Sequence, residues 1–240
     1  MEHIDTGNLI FIDIETVSEQ EDFSSLPDNW KQLWEKKISK LLPENISAED
    51  YYAERAAIYS EFAKVVCISF GYFTSIGKEK KLRIKSLCSE NEKELLQQFC
   101  EMLGQFEKHN RNWIFAGHNI KEFDIPFLSR RMMINEMSIP SCMNFQNKKP
   151  WETNILDTLH LWRFGDYKNY TSLNLLAAAM GVASPKDDID GSMVGQIFWK
   201  EKDLKRISVY CQKDVVTVAN IIQRFKGLPL LTVEEIEFVD

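Results

Sequence analysis

The segment from Leu9 to Ile14 (LIFIDI) is the most hydrophobic strand-like run in the chain. Its β-branched and aromatic residues predict a central strand buried on both faces. Asp13 and Glu15 sit at its end, two residues apart, so both side chains leave the same face. Two carboxylates this close at a buried strand end repel each other and lose hydration unless a cation lies between them. The alternative is that the strand stops here and both acids face water. Any fold open to this chain must therefore expose that strand end or bring positive charge to it.

Two more acids stand in comparable settings. Asp124 closes the segment from His118 to Asp124 (HNIKEFD), between a short strand at Trp113–Ala116 and a helix from about Pro126 to Met137. An Asp in that place also serves as an ordinary helix N-cap. Asp214 lies at the border of the apolar stripe of a final helix, about Asp203 to Phe225, built on Leu204, Ile207, Cys211, Val215, Val218, Ile222 and Phe225. Tyr210 is one turn earlier on the same face. A solvated Asp beside a half-buried Tyr is the plain account of that pair. Together, strand one, a strand-to-helix turn and the last helix can meet at one edge of a sheet. Carboxylate oxygens suit a hard divalent cation such as Mg²⁺. Two such ions about 3.5–4 Å apart stabilise the attacking and leaving oxygens of an in-line phosphoryl displacement.

The rest of the chain predicts an α/β domain. Lys64–Phe73 and Lys81–Leu87 read as the second and third strands, and Ile155–Asp157 as a last one. Residues 17–60 read as a helical insertion after strand one, with Ser47 and Asp50 as a capping pair. Ser89 and Glu92 fit a capping box for a helix running to about His109, and Thr171–Met180 is a helix stopped by Gly181. Three strands in series followed by alternating helix and strand predict a mixed five-stranded sheet flanked by helices. With 240 residues against a typical ~150 per domain, one domain over 1–226 with its insertion and a tail over 227–240 accounts for the chain.

These residues resemble the DEDD (DnaQ-like) superfamily of 3′–5′ exonucleases. Its first motif matches Asp13-Ile14-Glu15, its second Asn119 through Phe123-Asp124, and its third Tyr210 through Asp214. The Tyr four residues before the last Asp resembles the DEDDy branch. The stretch from Gly117 to Leu128 is similar to proofreading domains of B-family DNA polymerases, here as a free-standing exonuclease. The resemblance implies a ribonuclease H-like fold with three antiparallel strands followed by parallel ones. It implies two Mg²⁺ or Mn²⁺ ions held by Asp13, Glu15, Asp124 and Asp214, with Tyr210 orienting the attacking water. It also implies that Thr16 and Asn119 grip the terminal nucleotide of a single-stranded 3′ end. Phe123 either packs on that nucleotide or belongs to the core. DNA is favoured over RNA as substrate, the alternatives being a 3′–5′ exoribonuclease of RNase D type or, in another class, a catalytically silent nucleic-acid-binding module.

Charge and cysteine usage set the remaining bounds. Against 29 Lys and Arg stand 36 Asp and Glu, a net −7, which excludes duplex binding by bulk positive charge. Lys121, Arg130, Arg131, Lys148, Lys149, Arg163 and Lys168 are the candidates for a local groove, or else are solvated surface charges. Asp157 is expected to cap a helix, Asp190-Gly191 to make a turn, and His118 and His160 to be structural. Five scattered Cys without a CxxC pair predict reduced thiols in a cytoplasmic protein. No run approaches the ~18 apolar residues of a membrane span, and Met1–Gly7 lacks the basic start of a signal peptide.

Overall fold

The computed structural model describes residues 4–76, 79–108, 112–149, 152–183 and 189–239. Strand β1 spans Leu9–Ser18, four residues beyond the apolar run. Asp13 and Glu15 are therefore inside the strand rather than at its end. The extension exists because Thr16, Val17 and Ser18 find partners in Val65, Lys64 and Ala63. The register shifts between Glu15 and Thr16, a bulge that re-aims the strand directly after the two acids.

Strands β2 (Ala63–Ile76) and β3 (Glu79–Cys88) continue antiparallel from β1. Strands β4 (Ile114–Gly117) and β5 (Ile155–Asp157) run parallel to β1 on its other side. The order is β5-β4-β1-β2-β3-β6, so among the described residues the sheet has six strands where five are expected. The sixth, β6 (Ile236–Val239), comes from the tail and lies parallel to Leu82–Lys85 of β3. A short amphipathic end segment pairs there because β3 otherwise leaves its backbone unpaired, and Arg83 meets Glu237 across the pair at 3.3 Å. Asp240 lies outside the described residues.

Both sheet faces are covered. Ile10, Ile12 and Ile14 of β1 pack with Leu95 and Phe99 of α3 (Glu92–Glu107) and Leu128 and Met132 of α4 (Asp124–Ile134). Leu9 and Phe11 pack on the opposite face with Val215, Val218 and Ile222 of the last helix, Leu204–Phe225. Burying a side chain of this size contributes roughly 1.5–3 kcal/mol. Between β1 and β2, helices α1 (Asp28–Ile38) and α2 (Ala48–Arg55) close around the fully buried Trp34, which meets Tyr52 at 5.2 Å and Phe62 at 5.1 Å. Ser47 caps α2 as the spacing predicts, accepting from the Asp50 N–H at 3.0 Å. After β5 come α5 (Thr158–Arg163), α6 (Leu173–Ala179), the short α7 (Val194–Gln196) with a π turn at Ile197–Glu201, and α8, the last helix.

Two helix expectations need correction. Asn91, not Ser89, caps α3, its Oδ1 accepting from the N–H groups of Lys93 and Glu94. Glu92 turns inward instead: its carboxylate accepts from the Val65 N–H at 2.7 Å and from Arg131 Nε at 2.8 Å. Arg131 is therefore 4% exposed and cannot line a groove. The expected helix end at His109 lies outside the described residues. Helix α4 stops at Ile134 rather than near Met137, because Glu136 turns left-handed with φ 58°.

Candidate active site

Three segments deliver the four acids to one place. In β1, Asp13 and Glu15 point toward α8, and Glu15 pairs with Cys67 at the last regular position before the bulge. Asp124 occupies the first turn of α4, behind Phe123 at the cap position, and is 4% exposed. Its Oδ1 accepts from the Ile14 N–H at 3.1 Å, so it is tied to β1 between the other two acids rather than capping its own helix. Asp214 lies one turn after Tyr210 on α8, and its charge bears on Asp13, Glu15, Asp124 and Tyr210 alike.

The electrostatics follow from this crowding. Burial raises Asp13 well above the ordinary carboxylate range, and Cys211, Asp214, Glu15 and Asp124 push it the same way. Burial, Cys211 and Asp214 likewise raise Glu15. Burial pushes Asp124 up to about 8, against the pull of its own N–H and that of Ile14. Buried acids shifted in this direction lack positive charge, which a divalent ion supplies. The oxygen-rich donor set fits such an ion. Burial and the charges of Asp214, Glu15 and Asp13 also raise Tyr210, which keeps its phenolic proton. A Cβ placed on Gly191 would come within 3.9 Å of that hydroxyl.

Cys211 is a neighbour that the helical stripe disguised as core. Its Sγ lies 3.2 Å from Asp13 Oδ2, and among the described residues the ligand atoms of Asp13, Glu15 and Cys211 fall within 4.8 Å of one another. Its place between Tyr210 and Asp214, on the side turned to β1, was the available signal. Behind it, the thiols of Cys67 and Cys88 meet at 2.8 Å, and all five Cys are free.

The turn between β4 and α4 is built by two residues. Gly117 lies so close to β1 that a Cβ there would sit 2.2 Å from Ile120 Cγ2 and 2.8 Å from the Ile12 carbonyl oxygen. Asp157 caps α5, as expected, by accepting from Leu159 and His160 N–H at 3.0 and 3.4 Å. It also accepts from the Asn119 and Lys121 N–H groups at 3.0 and 2.9 Å, a second role that sequence spacing did not disclose. Asn119 is held left-handed at φ 62°, and its Oδ1 is buried without a partner among the described residues. Thr16 is buried, its hydroxyl donating to the Ala57 carbonyl at 2.7 Å. Phe123 is half-buried against Phe127 at 5.3 Å, on the edge of the core.

The two histidines expected to be structural are so. His118 bridges Thr158 Oγ1 and the Thr171 carbonyl, both at 2.9 Å, and His160 meets Glu122 at 3.1 Å. Asp190 makes its turn by accepting from the Ser192 N–H at 2.8 Å. Of the candidate groove cations, Lys121, Arg130 and Lys148 line a cavity of about 520 Å³ beside α4, Arg163 pairs with Glu122 at 2.8 Å, and Lys149 and Lys168 are exposed. Among the described residues no helix is long and apolar enough to cross a membrane.

The fold is similar to that of the family B DNA polymerase from the archaeon Pyrobaculum calidifontis, with a TM-score of 0.56 and 15% identity. That likeness covers 90% of this chain and 24% of the polymerase, so the chain spans about a quarter of its length. No curated protein matches the chain. Residues 57–228, well over half of the sequence, match the model of a family described as a predicted 3′–5′ exonuclease related to the exonuclease domain of PolB. The chain belongs to that family of PolB-related exonucleases.

Proposed function

We propose that the protein removes nucleotides from the 3′ end of single-stranded or frayed DNA by metal-dependent hydrolysis. The observation that carries this is that the carboxylates of Asp13 and Glu15 lie within 4.8 Å of each other, that Asp124 accepts from the Ile14 N–H between them, and that the charge of Asp214 bears on all three. Asp13, Glu15, Asp124 and Asp214 would together hold two divalent ions, Mg²⁺ or Mn²⁺. Bound there, the ions acidify the attacking water and offset charge on the scissile phosphate. Tyr210 keeps its proton in this acidic surround, so it orients the water by hydrogen bonding and is not the base. The unpartnered Asn119 Oδ1 offers a hydrogen-bond acceptor to the terminal nucleotide. Thr16, already engaged with Ala57, shapes that subsite through its backbone, and Phe123 borders it. Water adds to phosphorus, the 3′-oxygen of the penultimate nucleotide leaves, and a nucleoside 5′-monophosphate is released. The five free thiols fit a reducing cytoplasmic setting.

The test is digestion of matched 5′-labelled DNA and RNA oligomers with Mg²⁺ or Mn²⁺, with and without EDTA. Stepwise shortening of DNA, abolished by EDTA and by Asp13→Ala, is expected. Asp214→Asn should stop turnover and retain single-strand binding. Shortening of RNA with DNA intact would make the enzyme an exoribonuclease. Degradation that persists in Asp13→Ala would trace the activity to a contaminant.

A further inference from the structure

The loop joining α5 to α6 exposes three large rings: Phe164 is 92% exposed, Tyr167 73% and Tyr170 63%. Rings of this size are normally buried, and grouped exposed aromatics mark interaction sites. The loop is also ordered by its own bonds. Phe164 is left-handed at φ 45° and Gly165 follows at φ 90°, which ends α5 sharply. A left-handed conformation is costly for a non-glycine residue, and here it sets Phe164 in solvent. Asp166 then closes a turn, its carboxylate accepting from the Lys168 N–H and from Asn169 Nδ2, both at 3.0 Å.

Both ends of this loop are fastened to the turn that carries Asn119 and Asp124. At its start, Arg163 and His160 hold Glu122 at 2.8 and 3.1 Å. At its end, the Thr171 carbonyl accepts from His118 Nε2–H at 2.9 Å, next to Asn119. Tyr170 is near enough to feel the charges of Asp124 and Asp157. Arg163 covers one face of Tyr167 at 5.9 Å from the ring centre, and Lys168 is exposed on the same loop.

We infer that Phe164, Tyr167 and Tyr170 form a stacking platform for unpaired bases of the strand whose 3′ end enters the carboxylate site. This rests on the exonuclease reading above and names the form of its substrate. The net charge of −7 leaves little general attraction for phosphates, so base stacking supplies affinity that electrostatics does not. A duplex keeps its base faces covered and gains nothing from the rings, so the loop selects single strands.

Binding of a short 5′-fluorescein-labelled oligothymidylate in EDTA, followed by anisotropy, isolates this contact from turnover. Phe164→Ala, Tyr167→Ala and Tyr170→Ala should each weaken binding about tenfold, as expected for loss of one stacked base. Tyr167→Phe and Tyr170→Phe should retain it. An oligomer with abasic sites upstream of its 3′ end should bind weakly to wild type, with no further loss in the alanine variants. Unchanged affinity in the alanine variants overturns the platform, and so does an equal loss on the abasic oligomer. If the wild type shortens labelled oligomers while the alanine variants bind normally, the platform fails and the nuclease stands. If the rings bind oligomers that are never shortened with Mn²⁺, the nuclease fails and the platform stands.

Discussion

Asp157 is the residue through which a structural change should reach the active site. Its carboxylate is 2% exposed and accepts four backbone N–H groups, two from α5 and two from the turn before α4. Asp157→Ala removes the cap, worth about 1 kcal/mol. It also strands the Asn119 and Lys121 N–H groups, each costing about 1–2 kcal/mol because the turn is only part-buried. The expected loss is roughly 3–5 kcal/mol. Asp157→Asn keeps Oδ1, which serves Asn119, Leu159 and His160, and spoils only the Oδ2 contact to Lys121, for about 1–2 kcal/mol. Urea unfolding followed by tryptophan fluorescence measures both. The Mn²⁺-dependent rate should fall further in the alanine variant, because Asn119 and Asp124 hang on the loosened turn. An alanine variant as stable as wild type would refute the four-bond account. So would an asparagine variant as damaged as the alanine one, since charge rather than acceptor count would then be what matters.

Gly117→Ala should cost about 3 kcal/mol, because the new Cβ meets the Ile12 backbone as well as Ile120; an unchanged melting midpoint would contradict the close approach of β4 and β1. Removing one member of the buried Glu92–Arg131 pair should cost about 3–5 kcal/mol, whereas Glu92→Met with Arg131→Met should recover most of it. A double-mutant cycle by urea denaturation shows which holds. In EDTA, the pH dependence should have a definite sign. The folded-state pKa of Asp124, about 8, lies above its ordinary 3.8, so folding takes up a proton. That contribution is full below about pH 4 and is lost as pH rises through about 8, so the melting midpoint should fall over this window. Mg²⁺ at the upper end should raise the midpoint again, and a midpoint that climbs with pH in EDTA would sink the assignment.

How much was legible depended on the range of the interaction. The apolar run of β1, the Ser47 cap and the stripe of α8 were plain because each is set by neighbours within a turn or two. Asp13 and Glu15 were legible because they follow a buried apolar run; Asp124 and Asp214, which alone read as a helix cap and a surface acid, were legible only through their spacing to Asn119 and Tyr210 in the motifs the chain resembles. Arg131 was not: a cation on a helix reads as solvated until Glu92 and the Ser60 carbonyl arrive from other segments to hold it. The same holds for the last residues of β1, which are a strand only because β2 pairs with them, and for β6, which needs the edge of β3.

The order of charged and apolar residues along the chain thus determined most of the elements and which side chains are costly to bury, and its three acidic motifs carried the resemblance to the exonuclease family. Tertiary structure alone decided that Asp124 is tied to the Ile14 N–H, that Cys211 lies against Asp13, that Asp157 braces two segments, and that three rings of the loop between α5 and α6 stand in solvent. Periodicity reports one face of one element. A contact between faces depends on how the elements cross, and no window of sequence contains that geometry.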